Sequence, residues 1–313
     1  MTRTTDVLVV GELNVDLILD GLAGLPELGK EVLAEAMTLT LGSSSAIFAS
    51  NLSTLGTKVA FLGRVGEDLF GDLVVERLRA RGVDTALVLR TPAHATGATV
   101  VLNRGEDRAM ATYMGAMAQL SLADVTEERL GSARHLHFAS AFLQPGLFRE
   151  IPALFRRAKA CGLTTSFDPQ WDPAERWDLD LAAILPHVDV FLPNEQELLN
   201  LTRKATIPEA LEALRPHAHT VVAKQGAAGA TAAQGHAIRF QPSFLNSRVV
   251  DAIGAGDSFD AGYVSRFIAG DTCEACLRHG CLMGAVNTTA AGGTGAFTDL
   301  PAVLAVARER FHA

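Results

Sequence analysis

From about residue 120 to Lys224 the chain repeats one pattern, a short apolar run followed by a helical segment. His135-Leu136-His137-Phe138, Leu163 to Asp168, Val188 to Leu192 and Thr220 to Lys224 read as strands; residues 146–161, 178–186 and 208–217 read as helices. Parallel strands need a crossover, and a right-handed helical crossover is the one that packs back onto its sheet. The alternation therefore predicts βαβ units in an α/β fold, a mostly parallel central sheet flanked by helices in three layers. Val7-Leu8-Val9-Val10, ending at Gly11, reads as a central buried strand of that sheet, and Lys58 to Gly63 as another. With 28 glycines and only 6% aromatic residues, the composition favours α/β with many tight turns over a β-sandwich.

Two stretches break the pattern. Leu13 to Leu19 alternates roughly, residues 20–41 hold Pro26 and the alternating run Glu31 to Ala36, and residues 85–114 alternate strongly on either side of a turn at Asn103 to Arg108. They read as exposed strands and a hairpin, a small β-sheet lid contributed by about 12–40 and 85–115 to a single domain spanning 1–313. An exposed sheet edge needs cover, which predicts a homodimer through the lid. Between the lid segments, Gly42-Ser43-Ser44-Ser45-Ala46 opens a helix with Ile47, Phe48, Leu52 and Leu55 on its apolar side and Gly56 at its end, and Arg64 to Gly71 leads into a helix reaching about Arg81.

The run Val250-Asp251-Ala252-Ile253-Gly254-Ala255-Gly256-Asp257-Ser258-Phe259 reads as a loop turning directly into a helix. Such a helix start aims free N–H groups and its positive dipole end at the loop, a site for an anion such as phosphate. A carboxylate at that place, Asp257, suits a group that accepts a proton from an attacking hydroxyl. The same residues also describe a Gly-rich helix cap with Asp in the first turn. Other polar groups fall at predicted strand ends: Asp16 just beyond the first strand, Asp168, Asn194 with Glu197, and Lys224 with Gly226. In a parallel sheet those ends share one edge, so the groups converge on one cleft. Asn194 and Glu197, three apart, suit a hydrated Mg²⁺ near phosphates, or equally a helix cap with Glu in its first turn.

Other classes are disfavoured. The P-loop pattern is absent, and Phe259 interrupts the G-x-G-x-x-G of a dinucleotide fold. A net charge of -8 argues against nucleic acid or an acidic membrane as partner. Cys161, Cys273, Cys276 and Cys281 include one C-x-x-C but no second pair, which reads as small thiols on a buried helix in a reducing compartment. Neither a signal-peptide core nor a membrane-length apolar run is present, so the expected location is the cytoplasm.

Asp251 to Phe259 resembles the C-terminal signature of the ribokinase-like (PfkB) carbohydrate kinases. Gly11-Glu12-Leu13-Asn14-Val15-Asp16, Gly63 to Gly71, Asn194-Glu195-Gln196-Glu197 and Lys224-Gln225-Gly226-Ala227-Ala228-Gly229 are similar to four further motifs of that family, in the same order. The resemblance implies an ATP- and Mg²⁺-dependent kinase. Asp257 would be the base and the Gly254, Ala255 and Gly256 amides the anion hole; Asp16, Gly42 and Ser43 would meet the acceptor. Asn194, Lys224, Gly226 and Gly229 would meet the nucleotide, Glu197 would hold Mg²⁺ through water, and Asp251 with the Ile253 carbonyl would hold a monovalent cation such as K⁺. The chain departs from the pattern at Ser43, where a second glycine is usual, and at Ile47, where an acceptor-binding Asn is usual, so ribose is not carried over as substrate. The expected reaction is phosphorylation of a primary alcohol of a sugar or sugar derivative. The alternatives are a nucleoside acceptor, a phosphorylated sugar met by Arg104 and Arg108 of the hairpin, and an idle sugar or nucleotide sensor.

Overall fold

The structure, a computed structural model, describes residues 3–104 and 107–313, the side chains of 104, 107 and 108 excepted. The first half runs β1 (Thr5–Val10), β2 (Asn14–Asp20), β3 (Ala36–Leu41), α1 (Ser44–Thr54), β4 (Val59–Leu62), β5 (Arg64–Gly66), α2 (Leu69–Ala80), β6 (Leu89–Thr91), β7 (Gly97–Arg104), β8 (Asp107–Tyr113), α3 (Glu127–Gly131) and β9 (Ala133–Ala139). The second half runs α4 (Pro145–Phe148), α5 (Ile151–Ala160), β10 (Thr164–Asp168), α6 (Leu181–Ile184), β11 (Val190–Phe191), α7 (Glu195–Thr202), α8 (Ile207–Leu214), β12 (Thr220–Lys224), β13 (Gly229–Gln234), β14 (Ala237–Pro242), α9 (Ala255–Ala269), α10 (Cys273–Asn287) and α11 (Leu300–Phe311).

Eight strands form the main sheet in the order β14-β13-β12-β11-β10-β9-β1-β4. From β12 to β4 all neighbours are parallel, and β13 and β14 add an antiparallel edge. The period-2 alternation of β1 divides the core. Leu8 and Val10 join the cluster containing Phe138, Phe155, Phe167 and Phe191, whereas Val7 and Val9 join the one containing Phe48, Phe61 and Tyr263. Phe138, Phe167 and Phe191 sit on three successive strands in register, with ring centroids 5.8 and 5.5 Å apart. On the other face of β9, His135 and His137 are buried and both bond Ser166 Oγ, at 2.7 and 2.8 Å, and His137 stacks on Phe48 at 3.6 Å. Burial holds His135 neutral, its pKa pushed down to about 3.

A second, four-stranded sheet has the order β3-β2-β7-β8. Its register puts Asp16 beside Thr40 and Thr99, with Thr112 opposite Thr99 on the same face, while Leu17, Leu39 and Val100 share the other. Met37, Leu39 and Tyr113 are exposed on that outer side.

Several local expectations are corrected. Glu31 to Glu35 is not a strand; pairing begins at Ala36. Asp16 lies within β2 of the small sheet rather than beyond a strand of the main one. Residues 89–91 pair with β5 and not with the small sheet. The helix read over 146–161 is two helices separated at Arg149-Glu150, each with Pro in its first turn, where a missing N–H is tolerated. The helix over 178–186 shrinks to α6 followed by a 3₁₀ turn holding Pro186, and the strand over 188–192 shrinks to two residues. The β13–β14 hairpin had no counterpart in the sequence reading; its Ala-rich first strand carries little β-branched signal. Arg104 and Arg108 lie outside the residues whose side chains are described. Among the described residues no helix is long and apolar enough to cross a membrane.

Phe167 is the middle rung of the phenylalanine ladder and touches Phe155 as well, at 5.5 Å. Phe167→Ala is expected to cost about 3–5 kcal/mol, read as a lowered midpoint in urea unfolding with little change in slope.

Candidate active site

The sheet edge named by the strand ends is where the polar groups gather. Asp257 sits in the first turn of α9 and is only 7% exposed. Gly254, with φ of 74°, takes the left-handed conformation that turns the loop into the helix, as glycine does without steric cost. A methyl group there would come 2.6 Å from Gly293 Cα. Among the described residues the amides of Gly254, Gly256 and Asp257 have no main-chain acceptor, whereas Ala255 N–H donates to Ala252 O at 3.2 Å. The helix start therefore presents unclaimed donors beside a buried carboxylate.

Burial, and then the negative charge of Asp168, push the Asp257 pKa up to about 8. The Gln170 amide donates to Asp168 Oδ2 at 2.7 Å and to Asp257 Oδ1 at 3.0 Å, so one side chain orients both carboxylates. Lys224 Nζ donates in turn to Asp168 Oδ2 at 2.9 Å and to Asp260 Oδ2 at 3.0 Å. Burial alone would favour loss of the lysine proton, but Asp168, Asp260 and Glu197 hold it above its ordinary range. The lysine is thus committed to a buried ion triad.

Asp16 receives Asn14 Nδ2 at 3.0 Å, and the same amide bonds Thr99 Oγ1 at 3.0 Å. Burial pushes the Asp16 pKa up to about 6. Gly42 lies against this pair, since a methyl group there would come 2.3 Å from Asp16 Oδ1. Ser43 caps α1 and donates to Glu12, a fully buried carboxylate also held by the Ser45 amide and hydroxyl. Burial raises the Glu12 pKa. Ser43 keeps a φ of 70°, a left-handed value at the position where the resemblance has a second glycine. Ile47 is 4% exposed, and its side chain lies so close to Gly293 that a methyl group there would meet it at 2.4 Å. It supports the anion loop by packing.

Asn194 and Glu197 form a complete capping box: Glu197 accepts from Asn194 N at 2.9 Å, and Asn194 Oδ1 accepts from Glu197 N at 2.9 Å. Burial, and then Asp168, push the Glu197 pKa up to about 7. Among the described residues no three His, Cys, Asp or Glu side chains gather as a metal site. Lys224, Gly226 and Gly229 border a cavity of about 300 Å³ together with Gly256, Phe259 and Thr288. Gly229, with φ of 124°, leaves no room for a side chain, which would meet Gln241 O at 2.0 Å. Asp251 accepts from the Ile253 and Gly292 amides at 2.9 and 2.8 Å, and the Ile253 carbonyl accepts from Asn287 Nδ2 at 2.7 Å. These are hard oxygen donors, each with a lone pair left over, which fits an alkali cation.

The sequence reading missed Gln170, Asp260, Glu12 and Asn51 as parts of the site. Asp260 had a signal, a carboxylate one turn after Asp257 in an apolar helix. Asn51 joins Ser258 Oγ and the Gly293 carbonyl at 2.9 and 2.8 Å, and Ser258 passes the chain on to Asn287 at 2.9 Å.

Fold and site together put a buried carboxylate and unclaimed helix-start amides on one helix of an α/β fold. The match to pfkB family carbohydrate kinases covers residues 4–299, and the chain belongs to that family. It is 28% identical to the ATP-dependent ribose-1-phosphate kinase of Halopiger xanaduensis, over 97% of this chain and 99% of that protein. Identity to the 2-dehydro-3-deoxygluconokinase of Bacillus subtilis is 29%, over 80% of this chain and 82% of that one. A candidate ribokinase II of E. coli, solved with ATP and Mg²⁺, superposes with a TM-score of 0.82 at 25% identity, over 96% of this chain and 98% of that one. The chain is a carbohydrate kinase.

Removing the lysine leaves two buried carboxylates without a counter-charge. Lys224→Met is expected to lower stability by about 3–5 kcal/mol in urea titration at pH 7, with a large part recovered when Asp168→Asn and Asp260→Asn are added.

Proposed function

We propose that this chain transfers the γ-phosphoryl group of ATP to a hydroxymethyl group of a sugar or sugar derivative. The observation that carries the reading is the buried Asp257 in the same helical turn as the unclaimed Gly254 and Gly256 amides. The acceptor oxygen attacks the γ-phosphorus, its proton passes to Asp257, and the bond to the β-phosphate oxygen breaks to release ADP. The amides face the charge that develops on the transferred group. Asp16, fixed by Asn14, accepts hydrogen bonds from other acceptor hydroxyls beside Gly42. The cavity bordered by Lys224, Gly226 and Gly229 takes the nucleotide, and the cleft between the two sheets closes to exclude water.

Asn194 and Glu197 would hold Mg²⁺ through water, and Mg²⁺ supplies neutralising charge on the phosphates. Asp251 and the Ile253 carbonyl would hold K⁺. The two relatives, a ribose-1-phosphate kinase and a 2-dehydro-3-deoxygluconokinase, support a sugar-derived acceptor. The reading includes a cytoplasmic location, where ATP is supplied, and a homodimer in which the outer face of the small sheet is covered, since Met37 at 67% and Tyr113 at 57% exposure leave apolar surface there.

Asp257→Asn is expected to lower turnover by about 10²–10⁴-fold while ATP affinity by calorimetry stays at the wild-type value. A variant that keeps wild-type turnover overturns the assignment. A base must be deprotonated to act, so activity is lost as pH falls through the Asp257 pKa. In the wild type kcat/KM should climb with pH to an inflection near the value of about 8 held by Asp257, a limb absent from the residual activity of the Asn variant. For the assembly, sedimentation at micromolar concentration is expected to give a dimer for the wild type and a monomer for Leu39→Glu, which puts a charge on the outer sheet face.

A further inference from the structure

The loop after β10 carries more built structure than holding Gln170 requires. Gln170, Glu175 and Trp177 all take left-handed backbone conformations, with φ of 60°, 51° and 56°, although none is glycine. Strain of this kind persists where the surroundings over-determine it, and it gathers at ligand clamps. The surroundings here are specific. Asp172, 4% exposed, accepts from the Ala174, Arg176 and Trp177 amides at 2.9, 2.8 and 2.7 Å. That turn buries Trp177 and sets it as a wedge between two other rings. Trp171 stands edge-on to it at 4.8 Å and 88°, and Phe142 at 5.7 Å and 79°. Trp171 is thereby fixed yet 46% exposed.

Trp171 and Phe142 form one wall of a cavity of about 800 Å³, and Met110 and Met114, from β8 and just beyond it, line the same cavity. The cavity adjoins the active site from two directions. Trp171 follows Gln170, whose amide touches Asp257. Thr112, which also lines the cavity, bonds Thr99 Oγ1 at 3.0 Å, and Thr99 bonds the Asn14 amide that holds Asp16.

The lining decides what such a space takes. A free sugar carries hydroxyls around its ring, and each one buried without a partner is costly. The walls here are mostly aromatic rings, thioethers and prolines, with Arg149, Arg176 and Asp178 as the charged groups among them, and the carboxylate of Asp172 is already spent on three amides. A planar ring suits them: it stacks on fixed aromatic side chains and is met by methionines, which adapt to irregular flat surfaces. Arg149, lying over Phe148 at 5.9 Å, brings donors to the rim for ring heteroatoms. We propose that this cavity is a subsite for a planar heteroaromatic ring attached to the acceptor sugar, so that the acceptor is of nucleoside type, with Trp171 and Phe142 as the residues that select it. The inference rests on the kinase reading for the position of the transferred hydroxyl.

Two measurements test it. ADP formation is followed with MgATP and D-ribose, adenosine, inosine or uridine, each carrying the same hydroxymethyl group. In parallel, tryptophan fluorescence is titrated with the same compounds without ATP; the chain has only two tryptophans, so loss of the quench in Trp171→Phe, which leaves buried Trp177 alone, assigns the signal to the exposed one. At least one riboside is expected to quench Trp171 saturably and to exceed ribose in kcat/KM by about tenfold or more. Trp171→Ala should lower that riboside's kcat/KM by about tenfold, mostly through KM, and leave ribose unchanged, while Trp171→Phe keeps most of the activity. Ribosides that neither quench nor turn over overturn the subsite, as does a Trp171→Ala variant that weakens ribose and ribosides equally. Saturable quenching without ADP formation supports the subsite and removes the kinase reading instead.

Discussion

The site depends on one lysine. Asp168, Asp257, Asp260, Glu197 and Glu12 are all buried within one region, and Lys224 is the cation that touches two of them directly. Burying carboxylates is unfavourable unless each is paired or hydrogen-bonded. The fold meets that demand unevenly. Asp168 and Asp260 receive the ammonium, Glu197 receives amides of its own helix cap, and Glu12 receives the start of α1. Asp257 receives the Gln170 amide and the Ser44 side chain, but burial and the nearby charge of Asp168 outweigh them and leave it with a high proton affinity. A carboxylate tuned this way exchanges a proton near neutral pH, the property a general base needs. The same arrangement explains why Lys224 is bound into the protein: its charge is already consumed by its neighbours.

How much of this was legible in the sequence follows from the kind of signal each part leaves. The parallel sheet was readable because strands buried on both faces are continuous apolar runs, as in β1 and β12. The turn before α9 was readable because a Gly-rich loop running into a helix leaves a clear local pattern, and the gathering of Asp168, Lys224 and Asp257 followed from strand ends sharing an edge, whereas Asp16 sits within the small sheet. Gln170 was not readable. It stands two residues beyond the strand end at Asp168, and its role depends on a left-handed backbone that nothing in Asp168-Pro169-Gln170 demands. Lys224 was legible as part of the site, whereas its two partners come from a strand and a helix distant in sequence, and long-range pairing leaves no local pattern. The β13–β14 edge escaped because alanine and glycine signal neither strand nor helix strongly.

Ile47 shows how a departure from a motif is reconciled by packing. The side chain that replaces an amide lies against the Gly293 and Gly254 backbone, so the loop gains apolar support where the resemblance has a polar contact. Ser43 shows the opposite economy. It accepts a left-handed conformation and returns a helix cap and a hydrogen bond to Glu12. Both departures are met locally, one by packing and the other by a helix cap.

The chain of hydrogen bonds from Asn51 through Ser258 and Asn287 to the Ile253 carbonyl ties α1, α9 and α10 to the anion-binding loop. Every side chain in it is an amide or a hydroxyl, and none of these changes charge between acid and alkaline conditions. This part of the scaffold is therefore blind to proton concentration, while Asp257, which α9 carries beside it, is sensitive to it.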